Sequence, residues 1–408
     1  MPDTTDNVVP PALPAPRFRS IDAYRGLVMF AIASHGLGIH AAAQKFPDSA
    51  VWTALALQTE HVAWVGCVAW DMIQPSFMFL VGVAMAFSYA KRQARGDSYG
   101  SMFRHAVVRS IVLVALGVLL TSNSSDHTVF EFANVLAQIG LGYTFLFLLW
   151  GRRPLVQFGA AVVILVLYWG WFALYPLPPQ GFDYSSVGLP EDWAHLSGFA
   201  AHWDKNTNAA AAADVWLLNL FPRPEPFVFH KGGYQTLNFI PSLVTMLFGL
   251  MVGELFRSKR HGMVKFAVLV VSGLAGVLIG WALDRYGICP VVKRIWTPSW
   301  AVYCAGWACL VLALFYAAID LWNRSFLSRA ASWCAFPLVV FGANSILVYM
   351  MFQLVWGWTR NTLQIHLGAD YAQAFGEAYA PIVEASCVVL VFWLFCFWLY
   401  RQKIFLRI

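Results

Sequence analysis

Ten apolar runs, each long enough to cross a bilayer, alternate with polar segments along this chain. They fall near residues 21–42, 67–90, 105–121, 133–150, 155–175, 237–256, 263–283, 298–321, 335–356 and 380–400. A helix of about 20 apolar residues spans the hydrocarbon core of a membrane. The pattern therefore predicts an all-α polytopic membrane protein with about ten transmembrane helices.

Composition and charge agree with this prediction. Only 12% of the residues are charged and 59% are hydrophobic, whereas soluble domains carry about 25% charged residues. Most of the Lys and Arg residues fall in alternate short loops, so the positive-inside rule predicts that both the N- and the C-terminus are cytoplasmic. The net charge of +6 is therefore a signal of topology, and the expected partner is the lipid bilayer and not a nucleic acid.

The polar material outside the apolar runs suggests how the chain is organised. Residues 1–18 are polar and Pro-rich, without the apolar core of a signal peptide, and we expect a disordered cytoplasmic tail there. Residues 19–408 are expected to form a single transmembrane domain, with the long segment 176–236 on the periplasmic side. A multi-pass protein of the bacterial inner membrane fits these features. The seven cysteines show no CxxC spacing, so we expect no metal ligand.

The most informative stretch is HVAWVGCVAWDMIQPSFMFLVG, residues 61–82. It places His61, Trp64 and Asp71 together in the segment that leads into a single apolar helix. A carboxylate within the hydrocarbon is costly unless it is paired, so it marks a functional-site hypothesis. The alternative is that Asp71 only bonds a neighbouring helix and that His61 is a surface loop residue.

The first and third apolar runs carry further polar candidates. Asp22 and Arg25 lie three residues apart, so they either pair locally or leave Arg25 to bind an anion in a cytoplasmic cavity. Arg109 allows the same two interpretations, as a phosphate ligand or as an anchor at the inner surface. Ser34 and His35 approach the predicted outer mouth, where His35 is either a second site imidazole or a packed histidine.

Four more polar residues lie within or beside later runs. Gln138 and Asn344 are amides at depth, which either hold helices together or orient a ligand. Asn238 opens the sixth run, where a helix N-terminus could face an anion or oxyanion. Lys293 at the outer mouth of the eighth run is either a ligand contact or a snorkelling cation. The sequence shows no P-loop, GxSxG or HExxH motif, and no matched broken helices of the kind that mark secondary transporters.

Taken together, these motifs resemble the heparan-α-glucosaminide N-acetyltransferase family, which has the transmembrane acyltransferase fold. The matching stretches, in order, are RSIDAYRG, HVAWVGCVAWDMIQPSFMFLVG, VVRSIVLVALGV, VLAQIGLGY, LNFIPSLVTMLFG, PVVKRIWTPSW, GANSILVY and YRQKIF. They run nearly from end to end of the chain. Each motif alone is unspecific, but eight in the same order are specific.

The resemblance implies an enzyme that takes acetyl-CoA from the cytoplasm and transfers its acetyl group to a glucosamine-type acceptor across the membrane. His61, in its His-x-x-Trp context, matches the active-site histidine; Asp71 matches the acidic residue that follows, and Asn344 the asparagine of an Asn-Ser-Ile motif. With the candidates above, we expect catalytic residues at His61, Asp71 and Asn344, cofactor-binding residues at Arg25, Arg109, Gln138 and Ser34, and substrate-binding residues at Trp64, His35, Asn238 and Lys293.

The chain departs from the family pattern at two places. Ala137-Gln138 stands where a Gln-Arg pair is common, which removes one expected cationic contact. Ser34 stands where the lysosomal members have a functional asparagine. The acceptor is therefore expected to be a bacterial amino sugar or a glycan hydroxyl instead of heparan.

The mechanism that we expect uses His61 as the general base on the attacking amine or hydroxyl, because imidazole titrates near neutral pH. An amide such as Asn344 or Asn238 would donate to the developing oxyanion. An acetyl-histidine intermediate is the alternative chemistry. Alternative functions are an O-acyltransferase of a surface polysaccharide and a transporter of a sugar or acyl species. The assembly state is open, with a homodimer among the options.

Overall fold

The computed structural model describes residues 18–322 and 326–406, and these residues form helices joined by turns and loops. The predicted disordered tail, apart from Phe18, lies outside the described residues. The α-helices, in chain order, are α1 Arg19–Ala33, α2 Ile39–Ala43, α3 Ala50–Gln58, α4 Ile73–Ala94, α5 Tyr99–Ser122, α6 Val135–Leu149, α7 Pro154–Ala173, α8 Ala209–Leu218, α9 Phe239–Arg257, α10 Gly262–Arg285, α11 Pro298–Tyr316, α12 Phe326–Cys334, α13 Phe336–Ala343, α14 Ser345–Leu367 and α15 Ala380–Arg401.

Helix length and composition confirm the predicted class, an all-α polytopic membrane protein. In the described part of the chain, seven helices are long and apolar enough to cross a membrane, or nine if each of two bent pairs is one span. All ten predicted runs contain helix, but the fourth is shorter than expected. Helix α6 has 15 residues, about 22 Å at 1.5 Å per residue, which is less than the roughly 30 Å of a bilayer core.

Two of the predicted spans are bent, which the sequence pattern did not indicate. The first breaks by 50° between α1 and α2, where Gly36 and Leu37 have left-handed φ angles of 66° and 54°. The other breaks by 80° between α13 and α14, at Asn344. The sequence predicted no matched broken helices; these bends show that two helices are broken, and whether they correspond to a repeat stays untested.

Helices α4, α9 and α11 form the centre of the bundle and are mostly buried, whereas α5, α7 and α10 expose most of their apolar surface. The central contact between α4 and α9 depends on glycine. A Cβ atom added to Gly82 would lie 1.8 Å from the carbonyl oxygen of Met246, and one added to Gly249 would lie 1.9 Å from that of Phe79. Small residues at such positions let two membrane helices approach backbone to backbone.

The long segment between α7 and α9 has its own apolar cluster and covers one end of the bundle. Trp203 is fully buried there and stacks on Phe172 of α7, with ring centroids 6.4 Å apart. The same cluster includes Trp64, Val292 and Ile295, so it joins the long segment to the two loops that precede α4 and α11. These loops carry the candidate site.

Candidate active site

The loop before α4 folds back so that His61 meets Asp71. The Nδ1 atom of His61 lies 2.6 Å from Oδ1 of Asp71. The other carboxylate oxygen, Oδ2, accepts from the backbone N–H groups of Val62 at 3.4 Å and Val68 at 3.3 Å. Asp71 is 1% exposed, whereas the side chain of His61 is 36% exposed. A buried carboxylate thus fixes the loop and orients an imidazole that remains accessible.

Lys293 completes this cluster from the loop before α11. Its Nζ atom lies 3.4 Å from Oδ1 of Asp71 and 3.1 Å from Nδ1 of His61, and the residue is 4% exposed. Burial lowers the pKa of Lys293 to about 8, and the negative charge of Asp71 opposes that shift. Lys293 is therefore a buried partner of Asp71 and not a snorkelling cation, and the substrate contact expected for it stays a prediction.

The geometry selects one tautomer of His61. At 2.6 Å from a carboxylate oxygen, Nδ1 must carry the hydrogen and donate it, because two lone pairs at that distance would repel. The ammonium of Lys293 then has only Asp71 as its acceptor within the cluster. Nε2 on the other side of the ring is left unprotonated in the neutral imidazole. It is therefore the atom that can accept a proton.

The loop that carries Lys293 is held by main-chain contacts to the His61 loop. The N–H of Gly66 donates to the carbonyl of Val291 at 2.9 Å, beside an isolated antiparallel bridge between Val65 and Val292. Arg294 donates to the carbonyl of Val62 at 3.3 Å. These contacts place the ammonium and the carboxylate together although 222 positions separate Lys293 from Asp71 in the sequence.

Asn238 lies one contact away from this cluster. Its Nδ2 atom donates to the carbonyl of Arg294 at 2.7 Å, and its Oδ1 atom is buried without a protein partner. The opposite amide orientation would set two oxygens against each other, so the carbonyl fixes the side chain. Asn238 therefore presents a free acceptor oxygen, and one of its two N–H groups is used by the carbonyl of Arg294. The oxyanion role expected for Asn238 stays a prediction.

Trp64 connects the His61 loop to the long segment. Its indole N–H donates to the carbonyl of Trp203 at 3.0 Å, and its ring meets Trp193 edge-on at 6.3 Å. Trp64 is buried. It forms a wall of the region beside His61, and the predicted contact with substrate stays a prediction.

The bend after α1 adjoins the same region through Trp70. The Trp70 ring lies 6.4 Å from the His61 ring and packs against Gly36. The neighbouring His35 is exposed and contacts the rings of Phe352 and Trp356 in α14, about 6 Å away. Ser34 is buried, lies at the C-terminal end of α1 and donates to the carbonyl of Ala31 at 3.1 Å; its expected role in cofactor binding stays a prediction.

Two other predicted residues make contacts away from His61. Asn344 donates to the carbonyl of Ile404 at 3.1 Å and accepts from the N–H of Leu406 at 2.9 Å, so it attaches the C-terminal segment to the bend between α13 and α14. Gln138 donates to the carbonyls of Gln235 and Thr236 at 3.1 Å. These contacts are structural, and the roles expected in catalysis and cofactor binding stay predictions.

The two arginines proposed for phosphate differ in their surroundings. Arg25 lies 3.7 Å from Asp22 and 3.5 Å from the carbonyl of Gly342, which matches the local-pair interpretation. The guanidinium of Arg109 lies 4.7 Å above the ring of Tyr143, and its Nε atom is buried without a partner. Arg109 is therefore the better placed of the two to receive an anionic group.

Sequence reasoning missed three contributors to this region. Arg294 braces the His61 loop, and His195 and Asp204 form a second His–Asp pair, with Nδ1 2.6 Å from Oδ2. Arg294 was visible only as the residue after Lys293 in the motif PVVKRIWTPSW. Nothing in the sequence links the long segment to the His61 loop, because that contact depends on tertiary packing.

The fold and this site define a multi-pass helical membrane protein with a paired histidine and aspartate at one end of its central helix. No family model matches the chain. The heparan-alpha-glucosaminide N-acetyltransferase of Homo sapiens is 23% identical over 444 residues, with 97% of this chain and 60% of the relative covered. The enzyme of the same name from Mus musculus is 22% identical, with 97% and 61% covered. This chain thus spans about 60% of the length of these relatives, and the match supports the family resemblance.

Proposed function

We propose that this protein is a transmembrane acetyltransferase that moves the acetyl group of cytoplasmic acetyl-CoA to a glucosamine-type sugar on the opposite side of the membrane. The observation that carries the proposal is the 2.6 Å contact between His61 and a buried Asp71. The similarity of nearly the whole chain to N-acetyltransferases supports the reaction class.

His61 acts as the general base in this proposal. The nitrogen of the acceptor attacks the thioester carbonyl, a C–N bond forms, and Nε2 takes the proton that the nitrogen loses. The C–S bond then breaks, and the proton passes from His61 to the departing sulfur. A positioned base of this kind contributes typically 10²- to 10⁴-fold to a rate.

Asp71 and Lys293 prepare His61 for that step. The carboxylate holds the tautomer whose Nε2 is free and stabilises the imidazolium that forms, as in other His–Asp pairs. The Lys293 ammonium keeps the buried carboxylate ionised, because an isolated charge at this depth would be unfavourable. The free Oδ1 of Asn238 is suited to accept a hydrogen bond from the N–H or O–H of the acceptor.

The donor is expected at the opposite end of the bundle. Arg109 lies ten residues into α5, and its unpartnered Nε and its position over Tyr143 suit a phosphate group of CoA that enters the bundle from that end. The pantetheine arm would then extend between the helices toward His61. Arg25 lies on α1 beside Asp22 and is the second candidate for an anionic group of the donor.

The decisive experiment measures acceptor-dependent release of free CoA from acetyl-CoA by the purified protein, with glucosamine as acceptor. The expected result is thiol release together with N-acetylglucosamine, both lost in His61→Asn. His127→Asn is the matched control, because His127 is 40% exposed and also pairs with an aspartate, Asp126, at 2.7 Å. Equal activity of the His61 variant and the wild type would overturn the proposal.

The same assay separates the alternatives. A transporter, which the two bent spans also suit, would move labelled sugar into proteoliposomes without releasing CoA. An O-acyltransferase would release CoA but give an ester, which mild base cleaves and mass spectrometry distinguishes from an amide. Labelled acetyl retained on the protein without acceptor would indicate an acetyl-histidine intermediate.

A further inference from the structure

A groove of about 610 Å³ lies between α5 and α6, on the outside of the bundle. Its walls are apolar, and two of the side chains that line it, Ile111 and Phe145, are 62% and 53% exposed. Its two polar lining groups, Ser110 and Thr144, hydrogen-bond to each other, with 2.7 Å between their hydroxyl oxygens. Polar groups on a lipid-facing surface must be satisfied within the protein, so this groove is suited to hydrocarbon.

The groove lies where α6 is shorter than the helix beside it. Helix α5 has 24 residues and α6 has 15, a difference of about 14 Å at 1.5 Å per residue. Three phenylalanines from the connecting loop and the long segment occupy the missing length. The ring of Phe221 stacks on that of Phe130, with centroids 5.0 Å apart, and meets the ring of Phe132 edge-on at 5.3 Å. The groove therefore has an aromatic end, on the side of the bundle that the long segment covers.

The length of the groove indicates what kind of group fits it. Along α5 its lining runs from Ser110 to Val118, which is about 12 Å of helix. One leaflet contributes about half of the roughly 30 Å hydrocarbon core of a bilayer. The groove therefore matches one acyl chain of one leaflet, whereas a spanning helix of a second protein copy would extend well beyond it.

A cation stands at the aromatic end of the groove. Arg223 follows Phe221 by two positions, and its Nη2 atom donates to the carbonyl of Phe130 at 3.2 Å. Its Nε atom has no protein partner. In the described part of the chain, no carboxylate oxygen lies within 4 Å of this guanidinium, although Glu131 and Glu225 belong to the same two segments. The described protein thus supplies no counter-charge to Arg223, and a guanidinium suits phosphate.

We propose that this groove and Arg223 form a binding site for one membrane phospholipid, with an acyl chain between α5 and α6 and the phosphate group on Arg223. The acyl chain covers the exposed apolar side chains of the groove, and the phosphate supplies the negative charge that Arg223 lacks. The lipid thereby fills the part of the bundle that the short α6 leaves open. This inference does not rest on the proposed acetyl transfer, because the lipid is bound and not consumed.

The test is native mass spectrometry of the purified full chain in detergent, which resolves the first bound lipid. The probes are dioleoylphosphatidylglycerol, dioleoylglycerol, which has the same chains without phosphate, and glycerol phosphate, which lacks the chains. We expect the wild type to bind the phospholipid most tightly. Arg223→Met should lower that affinity at least about 10-fold, the loss of one charge-assisted contact, and leave the affinity for dioleoylglycerol unchanged. Ala115→Phe, which places a ring in the groove, should lower the affinity for both lipids.

Arg285→Met and Ala275→Phe are the matched controls, because both residues are exposed on α10, outside the groove, and both variants should bind the phospholipid as the wild type does. Unchanged binding in Arg223→Met or in Ala115→Phe, or equal losses in the controls, would overturn the inference. Glycerol phosphate bound as tightly as the phospholipid would also overturn it, since the groove would then contribute nothing. A dimer that Ala115→Phe dissociates without a change in lipid binding would assign the groove to a second copy of the chain instead.

Discussion

His61 donates from Nδ1 to the buried carboxylate of Asp71 across 2.6 Å, because the nine intervening residues fold the chain back before α4 begins. This one relationship gives the imidazole a defined tautomer and an accessible Nε2. Without this contact, the carboxylate would not orient the imidazole. Most of the chemistry that we propose follows from their contact.

The first prediction concerns the base itself. His61→Asn should lower kcat for acetyl transfer by about 10²- to 10⁴-fold, because an amide cannot take a proton at neutral pH. Thermal unfolding should change little, since the ring is 36% exposed. Initial rates of CoA release measure the effect, with His127→Asn expected to match the wild type. Equal losses in the two variants would assign the effect to folding.

The second prediction concerns the ion pair between Asp71 and Lys293. Asp71→Asn leaves the ammonium of Lys293 buried without its counter-charge, and we expect a loss of about 3 kcal/mol in the free energy of unfolding. The double variant Asp71→Asn/Lys293→Met should recover most of that stability but none of the transferase activity. Thermal unfolding in detergent, followed with acetyl-transfer rates, tests both parts. A double variant no more stable than the single one would show that the pair contributes little.

The third prediction concerns pH and Asp214 in α8. Burial raises the pKa of Asp214 to about 6, whereas an unfolded aspartate titrates near pH 4. Between about pH 4 and pH 6, Asp214 is therefore protonated in the folded state but ionised in the unfolded state. The free energy of unfolding should fall as the pH rises through this range. Asp214→Asn keeps an acceptor for the N–H of Thr236, which now lies 2.8 Å from the carboxylate, and removes the titration.

The measurement is the unfolding temperature of both proteins at pH 4.5 and pH 7.5. Asp214→Asn should be more stable than the wild type at pH 7.5 by about 2 kcal/mol, and the difference should shrink at pH 4.5. Asp192→Asn, at an exposed carboxylate, is the comparison. A difference independent of pH would refute the assignment of this proton to Asp214.

The fourth prediction concerns the contact between α4 and α9. Gly82→Ala inserts a Cβ atom 1.8 Å from a backbone oxygen, so the helices must separate, at about 1–3 kcal/mol. Gly159→Ala in α7 is the control, because nothing lies within 4 Å of its added methyl group. We expect a lower unfolding temperature for Gly82→Ala than for Gly159→Ala. Similar stability of the two variants would mean that the central helices can adjust without loss.

The sequence by itself determined the class of the protein and singled out His61 and Asp71 as candidate functional residues. Apolar runs of spanning length must become helices in a membrane, because lipid offers no hydrogen bonds to an unpaired backbone. The same runs made His61 and Asp71 conspicuous, since charged groups are rare in them. Hydrophobic periodicity does not, however, fix where a helix begins. The sequence predicted Asp71 within a helix; the structure places it in a 3₁₀ turn, Ala69–Met72, that leads directly into α4 at Ile73.

The tertiary structure alone decided which polar groups meet. Lys293 joined Asp71, and Lys205 came to lie beside Trp193, because of loop contacts between segments far apart in the sequence. Asn344 and Gln138, which looked equivalent to the site residues as amides at depth, instead bind backbone carbonyls elsewhere. Hydrogen bonds and ion pairs depend on the distances and angles between groups in the packed fold, and the order of residues along the chain specifies neither directly.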